Sequence, residues 1–203
     1  MRPLPRLLAP TDDAIATADD FPIRVAAIAA AGPAVGIVVS VPAADPTRRR
    51  AILDRVRALT GPPEAAVLVD DPSLGTVPGV HGVQCPAGPE VAAVRSAIGR
   101  RWVGVAVRRT DEAAAAATAG ADWVVARDVF GPAPGPGRAA DGLAWLGELA
   151  AFGIPVFASG GVTLDRLSAI REAGAWGVSA RAGLWQAADS ARAADQYLRA
   201  WAQ

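Results

Sequence analysis

Two short segments near the end of the chain have the composition of an anion-binding backbone. Ser159-Gly160-Gly161 follows the apolar run Pro155–Ala158. Arg181-Ala182-Gly183 follows a second apolar run, Gly177–Ala180. Glycine lets the backbone approach a ligand with its N–H groups exposed, and a helix that starts just downstream adds the positive end of its dipole. Together the two segments therefore predict one phosphate site; the alternative is a glycine turn that packs a helix and binds no ligand.

The residues that the chain lacks exclude several kinds of chemistry. All 20 basic residues are arginine, because the sequence contains no lysine, and this rules out Schiff-base catalysis and a lysine general base. Cys85 is the only cysteine, so neither an intrachain disulfide nor a cysteine metal site can form. His81, the only histidine, falls on the same short apolar run as Cys85, which argues against a cysteine–histidine catalytic pair.

Composition sets the class of protein. A chain of 203 residues with 52% hydrophobic residues suits one domain with a large core, over residues 1–203. The formal net charge of zero argues against nucleic acid or an anionic membrane as a partner. No apolar run approaches the roughly 18–20 residues of a membrane span, and no leader-like pattern opens the chain. We therefore expect a cytoplasmic protein.

Short apolar runs alternate with helical segments along the whole chain. Six further runs precede the two named above: Leu7–Ala9, Val35–Val39, Ala65–Val69, His81–Cys85, Trp102–Val107 and Trp123–Ala126. Eight strands alternating with helices predict an α/β fold, a compact (β/α)8 TIM barrel. The third crossover, SLGTVPG, is too short and too rich in Gly and Pro for a full helix, so an eroded third helix is expected. A doubly wound open sheet is the alternative, but no G-x-G-x-x-G follows the first strand.

Three segments resemble the thiamine phosphate synthase and thiazole tautomerase (TenI-like) family. They are GVHGVQCPAG, WVGVAVRRTDEAAAAATAGADWVVARDVFGP and GIPVFASGGVTLDRLSAIREAGAWGVSARAGLW. Thr11-Asp12-Asp13 is similar to the family's opening Ile-Thr-Asp element. The resemblance covers most of residues 65–203. The tautomerase branch is the closer match, since HGVQCPAG resembles its His-x-Val-Gln-Leu-Pro segment.

The resemblance implies a barrel that holds a thiazole phosphate. Carried over residue by residue, it assigns the phosphate to Gly160, Gly161, Arg181 and Ala182. These are the positions that the glycine segments had already indicated. The expected partner is therefore a small phosphorylated heterocycle.

Several family elements are altered in this chain. The synthases' Gln-x-Arg-x-Lys run corresponds to the uncharged Val38–Pro42, and their Thr-x-Thr-Lys element corresponds to Ala133–Pro136. An Asn-Asp pair of the synthase Mg²⁺ site corresponds to Asp70-Asp71, while the second magnesium carboxylate is lost at Cys85–Ala87. The tautomerase's histidine acid/base corresponds to Asp128.

Each carried-over carboxylate has a structural alternative. Asp128 is the candidate catalytic acid/base, or it caps a loop. Asp70 and Asp71 are candidate Mg²⁺ ligands if synthase activity is retained, or they form the turn before Pro72. The sequence leaves these alternatives open.

Three functions remain in competition. The first is a tautomerase or isomerase acting on a thiazole phosphate, and the second is a non-catalytic protein that binds the same ligand. The third is a thiamine phosphate synthase in which Arg108, Arg109 or Arg138 replaces the missing lysines. Tryptophans such as Trp145 and Trp201 on helices indicate either a contact in a homo-oligomer or core packing.

Overall fold

The computed structural model describes residues 2–61, 65–88, 90–131 and 141–203. Eight parallel strands close into a barrel in sequence order, β1 to β8. They are β1 (Leu7–Pro10), β2 (Val35–Val39), β3 (Ala66–Val69), β4 (Gly82–Pro86), β5 (Trp102–Val107), β6 (Trp123–Ala126), β7 (Val156–Ser159) and β8 (Gly177–Ser179). The predicted (β/α)8 barrel is confirmed, and the closing β1–β8 pair excludes an open sheet.

Helices surround the barrel and connect its strands. In the described ranges they are α1 (Asp13–Thr17), α2 (Phe21–Ala29), α3 (Pro46–Leu59), α4 (Glu90–Ile98), α5 (Thr110–Thr118), α6 (Gly142–Ala150), α7 (Leu167–Glu172), α8 (Ala182–Trp185) and α9 (Ser190–Ala202). The crossover from β3 to β4 contains one 3-10 turn, Pro72–Leu74, instead of a helix. The eroded third helix is thus also confirmed.

Aspartates begin several of these helices. The carboxylates of Asp12, Asp45, Asp141 and Asp189 each accept a backbone N–H from the first turn of α1, α3, α6 and α9. Such caps satisfy amides that have no partner inside the helix. The α1 helix was not predicted, because five residues show no apolar periodicity.

Large aromatic side chains fill the barrel interior. Trp123 packs edge-on against Trp102 and Phe157, with ring centroids 6.1 and 6.0 Å apart. Room for these rings comes from glycines on the strands: a Cβ on Gly104 would overlap the Trp123 indole. A second apolar layer lies between the outer face of the barrel and the helices. Strands buried on both faces explain the continuous apolar runs in the sequence.

Side chains close the amino end of the barrel. The Arg6 guanidinium lies 3.5 Å from the ring centroid of Trp176 and donates a 2.7 Å hydrogen bond to its carbonyl. His81 Nδ1 accepts the Val67 N–H at 3.1 Å, and its Nε2 lies 3.0 Å from Arg2 Nη1. The candidate ligand space is therefore at the carboxyl end.

The helix tryptophans are accounted for by packing. Trp145 and Trp201 are both buried in the main core. Of the two explanations given from the sequence, a subunit contact or core packing, the structure shows core packing. In the described part of the chain, no helix combines the length and the apolar character needed to cross a membrane.

We predict that Gly104→Ala destabilises the protein, because the new methyl group would collide with Trp123. Overpacking of this kind costs about 1–3 kcal/mol. Urea unfolding measures the change. Gly147→Ala is the matched control: Gly147 is exposed within α6 with room for a methyl group, so this variant should gain about 0.5–1 kcal/mol. Equal effects in both variants would contradict the packing of the interior.

Candidate functional site

A cavity of about 1070 Å³ lies at the carboxyl ends of the strands. The residues that line it include Asp70, Asp128, Gly160, Gly161, Arg181 and Ala182. Of the residues that the sequence assigns to phosphate, catalysis or magnesium, only Asp71 is not among the lining residues, and the candidate arginines Arg108 and Arg109 are also not among them. Small-molecule sites typically occupy roughly 300–1,000 Å³, so the space is large enough for a ligand.

Two glycines with left-handed backbone shape the turn after β7. Gly160 and Gly161 have φ angles of 89° and 68°, a region that residues with a Cβ rarely adopt. A Cβ on Gly160 would lie 2.6 Å from the Cα of Asp128, and one on Gly161 would lie 2.9 Å from the Cβ of Phe130. This turn therefore packs directly against the turn that follows β6.

The carbonyl groups of the glycine turn accept hydrogen bonds, whereas its N–H groups donate none within the described residues. Phe130 donates its N–H to the Gly160 carbonyl at 3.2 Å, and Arg166 donates to the Gly161 carbonyl at 2.7 Å. Among the described residues, no acceptor is found for the N–H of Gly160 or Gly161. Both residues line the cavity, so we take their amides as the candidate donors to an anion there.

The turn after β8 contributes a second set of amides. No acceptor in the described ranges bonds the N–H of Ala182 or Gly183. Because α8 has only four residues, we expect its individual N–H groups to contribute more to anion binding than its dipole does. Arg181 Nη1 lies 3.5 Å from Asp12 Oδ2 at the mouth of the barrel. The guanidinium group of the residue that precedes these amides is therefore directed toward Asp12.

Asp128 occupies the turn that packs on Gly160. With a φ of 57°, it is the one non-glycine residue in the described chain with positive φ, a conformation that Asp and Asn tolerate better than most residues. Its side chain is 48% exposed, and Oδ2 lies 3.4 Å from Nε of Arg108. This placement fits both of the roles considered for Asp128, and its catalytic role stays a prediction.

Asp70 lies inside the cavity and is tied to two neighbouring strand ends. Its Oδ2 accepts a 2.6 Å hydrogen bond from Ser40 Oγ. Thr11 Oγ1 in turn accepts the Ser40 N–H at 2.9 Å and donates to the Ser40 carbonyl at 3.1 Å. Burial raises the pKa of Asp70, although the Ser40 hydrogen bond and the charge of Arg49 oppose that effect.

Asp71, the next residue, forms its hydrogen bonds and its ion pair with residues that do not line the cavity. Its Oδ1 accepts the N–H and the hydroxyl of Ser73, and its Oδ2 binds Arg49 Nη1 at 3.0 Å. Burial acts to raise the pKa of Asp71, but the hydrogen bonds from Ser73 and Arg49 outweigh it and leave the pKa below its ordinary value. Asp71 thus caps a 3-10 turn and neutralises Arg49.

These contacts allow the fit of a magnesium ion to be tested. Mg²⁺ needs several oxygen ligands around one point, whereas the Asp71 oxygens are already occupied by Ser73 and Arg49. Within the described ranges, no group of three or more acidic, histidine or cysteine side chains could hold a metal. The residues therefore do not fit the ion, and the assignment of Asp70 and Asp71 to magnesium stays a prediction from the resemblance.

Further residues that line the cavity were not singled out from the sequence, among them Ser40, Gln84 and Arg192. Gln84 is the one polar residue of an otherwise apolar strand, which is a usable signal. Arg192 gave no signal, because only the packing of α9 brings it to the cavity. The predicted correspondence at residues 133–136 and the candidate Arg138 lie outside the described residues.

We predict that Gly160→Ala destabilises the protein by more than Gly153→Ala. Both residues have positive φ, at 89° and 72°, and a Cβ in that region costs about 1–2 kcal/mol. At Gly153 nothing lies within 4 Å of the added Cβ, whereas at Gly160 it meets the Asp128 backbone. Thermal unfolding of both variants measures the difference, and equal losses would contradict the contact between the two turns.

We predict that Asp70→Asn raises the melting temperature at pH 8 more than at pH 4.5. The folded pKa of Asp70 is raised, so its contribution is full below the unfolded pKa of about 4 and is lost as pH rises through the folded value. Asparagine avoids that loss.

Asp71→Asn is the matched control for that measurement. Its folded pKa is lowered, so its contribution is present above the unfolded pKa and is lost only as pH falls through the folded value. This variant should be less stable than the parent by nearly the same amount at both pH values. A pH-independent effect of Asp70→Asn would contradict the burial of its carboxyl.

Comparison with known proteins places the chain in a family. The family model described as thiamine monophosphate synthase (TMP-TENI) matches residues 7–184. The thiamine-phosphate synthase of Caldivirga maquilingensis is 33% identical over 152 residues, covering 72% of this chain and 73% of that protein. The enzyme of that name from Salinispora arenicola is 34% identical over 177 residues, covering 81% and 83%.

Solved structures show the same fold. The thiamine phosphate pyrophosphorylase of Pyrococcus furiosus superimposes with a TM-score of 0.77 at 23% identity, covering 97% of this chain and 95% of that one. The family model matches most of the barrel, in agreement with the resemblance described from the sequence. The chain belongs to the thiamine monophosphate synthase (TMP-TENI) family.

Proposed function

We propose that this protein binds a thiazole phosphate, or a closely similar phosphorylated heterocycle, in the cavity at the carboxyl end of the barrel. One observation carries the proposal: the turns after β7 and β8 bring Gly160, Gly161, Ala182 and Gly183 to the same cavity. Their N–H groups have no acceptor among the described residues. Exposed backbone amides at adjacent βα turns of a barrel form a phosphate site.

We further propose that the reaction is an isomerisation of the bound heterocycle. Such a step moves one proton from a ring carbon to another atom of the same molecule, so it needs one acid/base group and a fixed ligand. Asp128 is the candidate, since its backbone packs on Gly160 and the residue is among those that line the cavity. The phosphate would hold the ring next to this carboxylate.

Thiamine phosphate synthesis is the second candidate, favoured by the names of the relatives. Displacing pyrophosphate requires cations that stabilise the charge of the leaving group. The end of β2 provides none, and Arg108 and Arg109, the described arginines expected to substitute, are not among the residues that line the cavity. The geometry thus supports isomerisation better than synthesis.

Calorimetric titration tests the binding. We expect thiazole phosphate to bind at least about tenfold more tightly than the unphosphorylated thiazole alcohol, because only the phosphate can use the free amides. Two assays follow with the same preparation: exchange of ring protons with solvent, measured by NMR, and pyrophosphate release with the pyrimidine pyrophosphate. Equal affinity for the two thiazoles would contradict the proposed site.

Asp128→Asn separates binding from chemistry. Asparagine also tolerates positive φ, so we expect the fold and the affinity for thiazole phosphate to be retained while proton exchange falls by about 10²–10⁴-fold. Asp195→Asn, on α9 and paired with Arg199 alone among the described residues, is the control and should leave exchange unchanged. Binding without exchange in the parent protein means a non-catalytic binding protein. Pyrophosphate release favours the synthase.

A further inference from the structure

Two polar atoms of complementary kind are buried inside the barrel without a hydrogen-bond partner. Nε1 of Trp123 is an N–H donor and Oε1 of Gln84 is an acceptor, and neither has a partner among the described residues. The Trp123 side chain is fully buried. Buried polar groups in folded proteins are nearly always hydrogen-bonded, either to protein or to ordered water. Each of these two atoms therefore requires a partner.

The register of the sheet places both groups in one row. Gln84 of β4 is the register partner of Gly104 on β5, and Gly104 is the partner of Trp123 on β6. Side chains alternate between the two faces along each strand. Trp123 packs in the apolar cluster of the barrel interior and Gln84 lines the cavity, so this row faces inward.

Gly104 leaves the middle of the row open to the indole ring. A Cβ on Gly104 would lie 2.3 Å from Nε1 of Trp123, so the N–H edge of the indole lies across β5 toward β4. Neighbouring strands are about 4.8 Å apart, which puts Nε1 at most about 7 Å from the Cβ of Gln84. Donor and acceptor are therefore neighbours, although they do not bond each other directly.

The row begins where the cavity ends. Gln84 is partly exposed and lines the cavity, although its Oε1 is buried. Val38 and Val125 belong both to the cavity lining and to the interior cluster that contains Trp123. Solvent in the cavity therefore has a path to the space beside the Gln84 amide.

We propose that one resident water molecule is bound inside the barrel between Trp123 and Gln84. It accepts the indole N–H and donates to Oε1 of the glutamine. Two hydrogen bonds through one water span up to roughly 6 Å. A buried water makes about three hydrogen bonds to groups that otherwise lack partners, and the third can go to solvent in the cavity. The inference is independent of the proposed function, since no ligand takes part in it.

This water site gives Gln84 and Gly104 a common structural role. Gln84 is the one polar residue of β4, and an apolar side chain in its place would leave the Trp123 N–H buried without a partner. Gly104 provides the room that the indole needs to reach the site. Removing one partner of a buried polar pair costs more stability than replacing both by apolar groups. The three residues therefore depend on one another.

High-resolution crystallography of the protein tests the site directly. We expect one peak of electron density about 2.7–3.2 Å from both Nε1 of Trp123 and Oε1 of Gln84. In Gln84→Met, which keeps an unbranched side chain but removes the acceptor, this peak should be lost. A direct hydrogen bond between Nε1 and Oε1, or no density between the two groups, overturns the proposal.

NMR of the indole N–H groups provides the measurement in solution. The Trp123 signal should shift in Gln84→Met toward the position of an N–H without an acceptor. The Trp176 signal is the internal control, because its Nε1 donates to the Pro5 carbonyl at 3.0 Å at the other end of the barrel, and it should not move. An unchanged Trp123 signal in Gln84→Met contradicts the shared water.

A double-mutant cycle tests the dependence of donor and acceptor on each other. Gln84→Met and Trp123→Phe each leave one polar group without its partner, whereas the double variant leaves none, so its loss of stability in urea should be smaller than the sum of the single losses. Gln84→Met combined with Trp145→Phe is the matched control. Trp145 packs in the outer layer, so these two losses should add. Additive losses in the first cycle overturn the proposal.

Discussion

Closure of the barrel is the constraint on which the candidate site depends. Only two register pairs, Leu7–Val178 and Leu8–Ser179, join β1 to β8. They bring the turn after β8 next to the turn after β1, where Arg181 meets Asp12. Without that pairing, the turn after β8 and the turn after β1 would lie at opposite edges of an open sheet, and no enclosed cavity would form between them.

The sequence predicts the barrel well because each strand is buried on both faces. Continuous apolar runs such as Val35–Val39 are visible without any tertiary information, and Gly and Pro in SLGTVPG mark the missing third helix. The short α1 was not predicted, because its five residues show no apolar pattern and its main local determinant is one capping residue, Asp12. Local pattern thus predicts the strands better than the shortest helices.

The site is predicted less completely, because it combines residues from distant elements. Gly160 and Gly161 could be found from the strand–glycine–glycine pattern alone. Asp70 and Asp71 could not be told apart, since the difference between them comes from Arg49, which α3 places beside Asp71. The neighbours of Asp70 and Gln84 in the cavity likewise come from other strands. Their environments exist only after the barrel has closed.

The contact between Asp128 and Gly160 has a consequence for the evolution of this barrel. Because the Gly160 carbonyl accepts the Phe130 N–H and a Cβ on Gly160 would touch the Asp128 backbone, the two turns constrain each other's sequence. New ligand preferences can therefore arise more readily at lining positions outside these two turns, such as Ser40 and Gln84.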